Sequence, residues 1–132
     1  MKTIKTWLTT IVVLLYSISA NAYYFEGDGI YYIFNPSDLT ATVTYKDNFD
    51  NIGDYEGEVI IPESVTDEGQ TYQVKYISEN AFRSCSSLTS VTIPEGVTDI
   101  GDYAFCGCSG LTSVTIPKSV TGIGDYAFKG CI

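Results

Sequence analysis

Histidine is absent from the 132 residues. With it go the commonest general base near neutral pH and the commonest zinc ligand, so neither a Ser-His nor a Cys-His nucleophile pair can be assembled. Basic side chains are scarce as well: seven Lys and Arg stand against 16 Asp and Glu, a net charge of −9. Residues 1–22 hold two of those cations and no acid, so the remainder carries −11. A surface that tracks phosphates needs clustered Lys and Arg, so nucleic acid and anionic lipid are excluded as charge-driven partners. Beyond the leader described next, no apolar run is long enough to span a bilayer. No catalytic residue, metal ligand or cofactor is assigned from this composition.

The first 22 residues have the layout of a secretory signal peptide. Lys2 and Lys5 form a positive n-region, Trp7 to Ile18 an apolar h-region, and Ala20-Asn21-Ala22 a small-x-small cleavage site, which predicts a mature chain beginning at Tyr23. A stop-transfer helix is the rival reading, but the apolar run is short for one. No cysteine follows at a lipobox spacing, so a lipid anchor is not indicated. The expected localisation is secreted or cell surface.

What is present is repetition. Leu88 to Ser109 and Leu111 to Ile132 agree at 17 of 22 positions at an offset of 23, and the five mismatches, such as Gly96/Ser119 and Asp99/Gly122, fall mainly on polar or small turn positions. The apolar columns hold, which is the mark of stacked units that bury their cores only against one another. An older copy lies upstream in Val59 to Thr66 and Ile77 to Ser87, interrupted by nine residues, Asp67 to Lys75, read as a loop. About three 23-residue rungs follow. In each, Leu-Thr-Ser-Val-Thr-Ile-Pro alternates at period 2 and predicts a short strand with Val91 and Ile93 inward, closed by Pro94 or Pro117. The second half, Ile-Gly-Asp-Tyr-Ala-Phe, predicts a sharp reversal at Gly101 and Gly124 and a short helical turn capped by Asp102 or Asp125.

The pattern from Val59 to Ile132 resembles the BspA-like leucine-rich-repeat family of secreted and cell-surface proteins. The fold class expected is therefore a β-rich α/β solenoid, a leucine-rich-repeat array of short strands and helical turns with an N-terminal β-hairpin cap. Residues 23–58 would form the cap and residues 59–132 the solenoid. The cap is aromatic-rich, with strand-like runs such as Ile30-Tyr-Tyr-Ile-Phe34 punctuated by Gly27-Asp-Gly29 and Asn35-Pro-Ser-Asp38, and it should pair with the first rung strand around Val59 to Ile61. Its tyrosines read as cap core rather than a sugar-stacking platform.

Two acidic features have the composition of sites. The loop Asp47 to Asp54 is rich in oxygen ligands, but Phe49 and Ile52 fall where a calcium loop requires ligands, so it reads as a solvated hairpin connection. The column Glu79, Asp102, Asp125 reads as turn caps. Cys85, Cys108 and Cys131 share a column and predict a buried ladder of reduced thiols, because parallel stacked Cβ vectors lie about 4.8 Å apart, beyond the roughly 3.8 Å of a relaxed disulfide. Cys106 aligns with Arg83 and Lys129 in an exposed column and is the one thiol expected to be reactive.

The outward strand positions Glu58, Ile60, Ser90, Thr92, Ser113 and Thr115 tile a sheet face of the kind through which solenoids bind partners. The family resemblance implies a non-enzymatic module that binds extracellular or cell-surface proteins of a host or neighbouring cell, in adhesion. A structural spacer, or a fragment of a longer surface protein, is the alternative; a carbohydrate-binding or carbohydrate-active module is the third. The uncovered last rung around Ile123, Ala127, Phe128 and Cys131 predicts self-association, unless further repeats follow.

Overall fold

Alternation between inward apolar and outward polar residues sets ten short strands in the computed structural model, which describes residues 24–45 and 53–132. The expected leader and most of the Asp47–Asp54 loop lie outside the described residues. The strands are β1 (Tyr24–Gly27), β2 (Ile30–Asn35), β3 (Thr40–Thr44), β4 (Gly57–Ile60), β5 (Ser64–Asp67), β6 (Gln70–Ile77), β7 (Leu88–Thr92), β8 (Asp99–Ile100), β9 (Ser113–Thr115) and β10 (Gly122–Ile123). One sheet runs β4-β7-β9, all parallel; the other runs β1-β2-β3-β6-β8-β10, with β5 beside β6. Among the described residues no helix is long and apolar enough to cross a membrane.

The repeat is seen in the register. Val59 stands beside Val91 and Val91 beside Val114, while Ile77 stands beside Ile100 and Ile100 beside Ile123. In the middle rung Leu88, Val91, Ile93, Val97, Ile100, Ala104, Phe105 and Cys108 are all buried, and each would contribute most of its transfer free energy, about 1.5–3 kcal/mol for the larger side chains. Rings from successive rungs stack: Phe82 on Phe105 at 4.9 Å and Phe105 on Phe128 at 5.1 Å, nearly coplanar in orientation.

The helical turn expected in each rung is not formed. No helix occurs among the described residues. The segments Ser78–Leu88 and Gly101–Leu111 are chains of tight turns, closed by bonds such as Ala104 N–H to Gly101 O and Cys108 N–H to Phe105 O. The intervening N–H groups point along the solenoid instead: those of Asn80, Phe82 and Ser84 donate to the carbonyls of Asp102, Ala104 and Cys106, and those of Tyr103, Phe105 and Gly107 to Asp125, Ala127 and Lys129. A helix would need those donors for its own i−4 carbonyls. Each turn segment is thus a third ladder between rungs.

The roles expected for Gly101, Gly124, Asp102 and Asp125 change accordingly. Positive φ falls on Asn80, Tyr103 and Tyr126, not on Gly101 or Gly124. Gly101 is needed for closeness: a Cβ there would lie 2.5 Å from the backbone nitrogen of Glu79 in the preceding rung. Asp102 serves the next rung, its carboxylate accepting from the N–H of Asp125 at 2.7 Å.

Two further expectations are corrected. The cap does not pair with Val59–Ile61; its strand β3 lies parallel to β6 in the other sheet, with Thr40 opposite Gln73 and Val43 opposite Ile77. Residues Asp67 to Lys75 are no loop, since β5 and the first half of β6 form a hairpin around Glu68 (φ 49°) and Gly69 (φ 80°), a two-residue turn of the hairpin type.

Candidate functional site

The β4-β7-β9 sheet presents two rows of outward side chains. Register places Glu58, Ser90 and Ser113 side by side, and Ile60, Thr92 and Thr115 side by side. Five of the six are exposed and Ser90 is half-buried, with Ile60 at 63% the most open large apolar residue on this face. Rows on neighbouring strands are about 4.8 Å apart, so the six residues make a shallow surface of small hydroxyls with an acid and an isoleucine along the β4 border. Such a surface offers hydrogen-bonding partners without a cleft. It has no feature of an acid-base site.

The tyrosines divide into two groups. Tyr32 and Tyr55 are buried. The Tyr55 hydroxyl donates to the carbonyl of Thr44 at 2.7 Å and accepts from the Tyr31 N–H at 3.0 Å, while its ring leans on Phe82 at 4.6 Å. Tyr55 therefore closes the phenylalanine stack and ties it to β2 and β3, a role that sequence reading missed. Burial pushes its phenol up, as it does that of Tyr32 beside Asp28 and Glu26. On the turn ladder, Tyr103 and Tyr126 stack at 5.3 Å, with the Arg83 guanidinium 5.2 Å from the Tyr103 ring and the Lys129 ammonium 5.0 Å from the Tyr126 ring. Arg83 comes from the rung before Tyr103 and Tyr126 from the rung after it, so the rings stack along the solenoid and do not lie flat as a sugar platform would.

All four cysteines are free thiols. Cys85 and Cys108 are buried, and the Cys108 thiol donates to the Phe82 carbonyl at 2.9 Å. Contact with the Cys85 thiol, reinforced by burial, pushes the Cys108 pKa up. Cys106 is half-buried between the Arg83 and Lys129 positions, and Cys131, expected to be inaccessible, is half-buried too. Glu79, Asp102 and Asp125 are all exposed. Among the described residues no three His, Cys, Asp or Glu side chains are grouped to hold a metal ion.

Comparison with known proteins places this geometry. The family model for the BspA type leucine rich repeat region matches residues 15–132 in six copies, so the kinship reaches upstream of the Val59 at which the sequence resemblance began. Curated proteins give no match. Among solved structures, a leucine rich cell surface protein from Faecalibacterium prausnitzii is 33% identical over 83% of this chain and 28% of its own, with a TM-score of 0.66. A leucine-rich repeat protein from Bacteroides capillosus is 33% identical over 77% of this chain and 71% of its own, at 0.65. One from Bacteroides ovatus is 29% identical over 83% and 33%, at 0.61. The chain thus spans well under half the length of two of these relatives. A family match over nearly the whole sequence, joined to a parallel three-rung stack of 23-residue units, makes this chain a member of the BspA-type leucine-rich-repeat family.

Proposed function

We propose that the chain is exported and works outside the cell as a non-enzymatic protein-binding module, engaging surface proteins of a host or neighbouring cell through the outer face of β4-β7-β9. The observation that carries this reading is the face itself: two register-aligned rows, Glu58-Ser90-Ser113 and Ile60-Thr92-Thr115, largely exposed on a sheet whose other side is rigid core. Hydroxyl-rich rows with one apolar anchor suit adaptable contact at small entropic cost. The relative from Faecalibacterium prausnitzii, described as a cell surface protein, supports the location. The leader layout of residues 1–22 supports export.

The test is capture of extracellular proteins by the immobilised chain, repeated with Thr92→Arg and Thr115→Arg. Partners held by the wild type and released by both variants are the expected result. Capture that ignores both substitutions would put the binding surface elsewhere and overturn this face as the site, while no capture at all would favour the spacer reading, for which the greater length of two relatives speaks.

A further inference from the structure

We infer that the open edge of β4 is a docking site for an extended, basic peptide segment, which adds to the β4-β7-β9 sheet as a further strand. In a parallel strand the N–H and C=O of one residue point to the same side, and sides alternate along the chain. The N–H groups of Gly57 and Ile61 are bonded to Ser87 and Thr92 on the β7 side. Those of Glu58 and Ile60 therefore face outward, and among the described residues no strand pairs with that edge. An unpaired edge of this kind is a ready template for another strand.

The surroundings say which strand. The chain enters β4 through Gly57 (φ 68°), with a register shift against β7 at Gly57/Glu58; Tyr55 and Val59 are buried and Asp54, Glu56, Glu58 and Ile60 exposed, so three carboxylates and one apolar side chain flank the edge. The hairpin turn of β1 and β2 brings Asp28 and Gly29 across from them, and a cavity of about 240 Å³ lies between the turn and β4. Among the described residues no Lys, Arg or His lines it. A strand laid along β4 would set a side chain against Glu58, where opposite charge in a cross-strand pair is favourable and like charge is not, and its end would run toward Glu56 and Asp54 at the cavity. The occupant that fits is rich in Lys or Arg, with β-branched residues between them.

A second copy of the chain is a poorer fit. Its β9 could approach β4, but its β10 would have to lie beyond β6 in the other sheet, where β3 already sits. One extended segment avoids that collision. This site is separate from the face bound under the proposed function, although Glu58 and Ile60 belong to both; Thr115, two strands away, belongs to the face alone.

The probe is a fluorescein-labelled octapeptide of sequence Thr-Lys-Val-Lys-Ile-Arg-Val-Thr, titrated with the full chain by fluorescence anisotropy. Saturable binding is expected, weakened about tenfold or more by raising salt from 0.05 to 0.5 M. The combined variant Asp54→Asn, Glu56→Gln, Glu58→Gln should lose about tenfold and most of the salt dependence. Ile60→Pro removes an outward donor without touching the β7 ladder and should weaken binding by about tenfold. Should that variant fail to fold, N-methylating alternate amides of the peptide makes the same test from the ligand side. Thr115→Arg should leave peptide binding unchanged while releasing face partners. The inference is overturned by equal affinity for an analogue with Glu in place of Lys and Arg, by indifference to both Ile60→Pro and N-methylation, by the absence of saturable binding, or by a dimer that occupies the edge.

Discussion

Single side chains in this molecule are fitted to their stacked neighbours. Ser119 stands where the previous rung has Gly96, and its hydroxyl accepts from the Gly96 N–H at 3.1 Å. Gly122 stands where the previous rung has Asp99, because a Cβ there would run into the Asp99 carboxylate. Two of the five mismatches between the nearly identical repeats are thus complementary, one residue making room for or bonding to the other. Tyr55 ties the cap to the phenylalanine stack. Tyr55→Phe keeps the ring on Phe82 but strands the Thr44 carbonyl and the Tyr31 N–H, and it should cost about 1–3 kcal/mol, read as a lower urea midpoint at constant slope. The phenols give a pH signature. Because burial raises the folded-state pKa of Tyr32 and Tyr55, their neutral forms favour folding below the unfolded pKa of about 10, and that stability is lost as pH rises above it. Thermal melts should therefore fall more steeply above pH 10 for the wild type than for Tyr55→Phe.

At the level of the element, the strand half of each rung was legible from the sequence and the turn half was not. Leu88 to Ile93 alternates at period 2, and that local rule placed Val91 and Ile93 inside and Thr92 outside as the structure has them. The turn half obeys a rule that is not local: the partners of the Phe82 and Phe105 amides lie in the next rung, so no spacing within one repeat reveals them. The β3–β6 pairing escaped for the same reason, whereas Glu68-Gly69 between alternating runs was a hairpin signal present in the sequence and overlooked. Likewise the outward face could be read from alternation, but the β4 groove could not, since Asp28 and Asp54–Ile60 meet only in the fold. Two outcomes check the ladder. Gly101→Ala should destabilise by about 1–3 kcal/mol through overlap with the Glu79 backbone, measured by thermal melting. Thiol labelling of the native chain should modify Cys106 and Cys131, and Cys85 and Cys108 only after unfolding; prompt labelling of Cys108 would contradict the buried column.

For the whole molecule, the two ends of the stack are unequal. At the N-terminal side β3 pairs with β6 and Tyr55 covers the phenylalanine stack, leaving the β4 edge open, while in the third rung Ile123 is 53% and Ile132 97% exposed and the outer edges of both β9 and β10 are unpaired among the described residues. In a chain of these 132 residues such a rung should favour association, whereas further repeats would cover it. Light scattering on the chain should show mass rising with concentration through the micromolar range, and fusing one further 23-residue repeat with a polar outer surface should abolish the rise. A strictly monomeric uncapped chain would show that the third rung tolerates water on its own.

The amide ladder of the turns also gives the molecule a mechanical grain. Every rung is held to its neighbour on three sides, with β7 and β9, and β6, β8 and β10, paired at a separation of 23 residues and β4 and β7 at 32 because of the β5–β6 hairpin. Tension applied between the two termini therefore loads the outermost rung first and leaves those behind it intact. Under an optical trap the chain should lengthen in successive yields, each releasing about 75–80 Å of contour from one 23-residue turn of the solenoid, beginning at Ile132 and arrested longest where Tyr55 locks the stack to the cap.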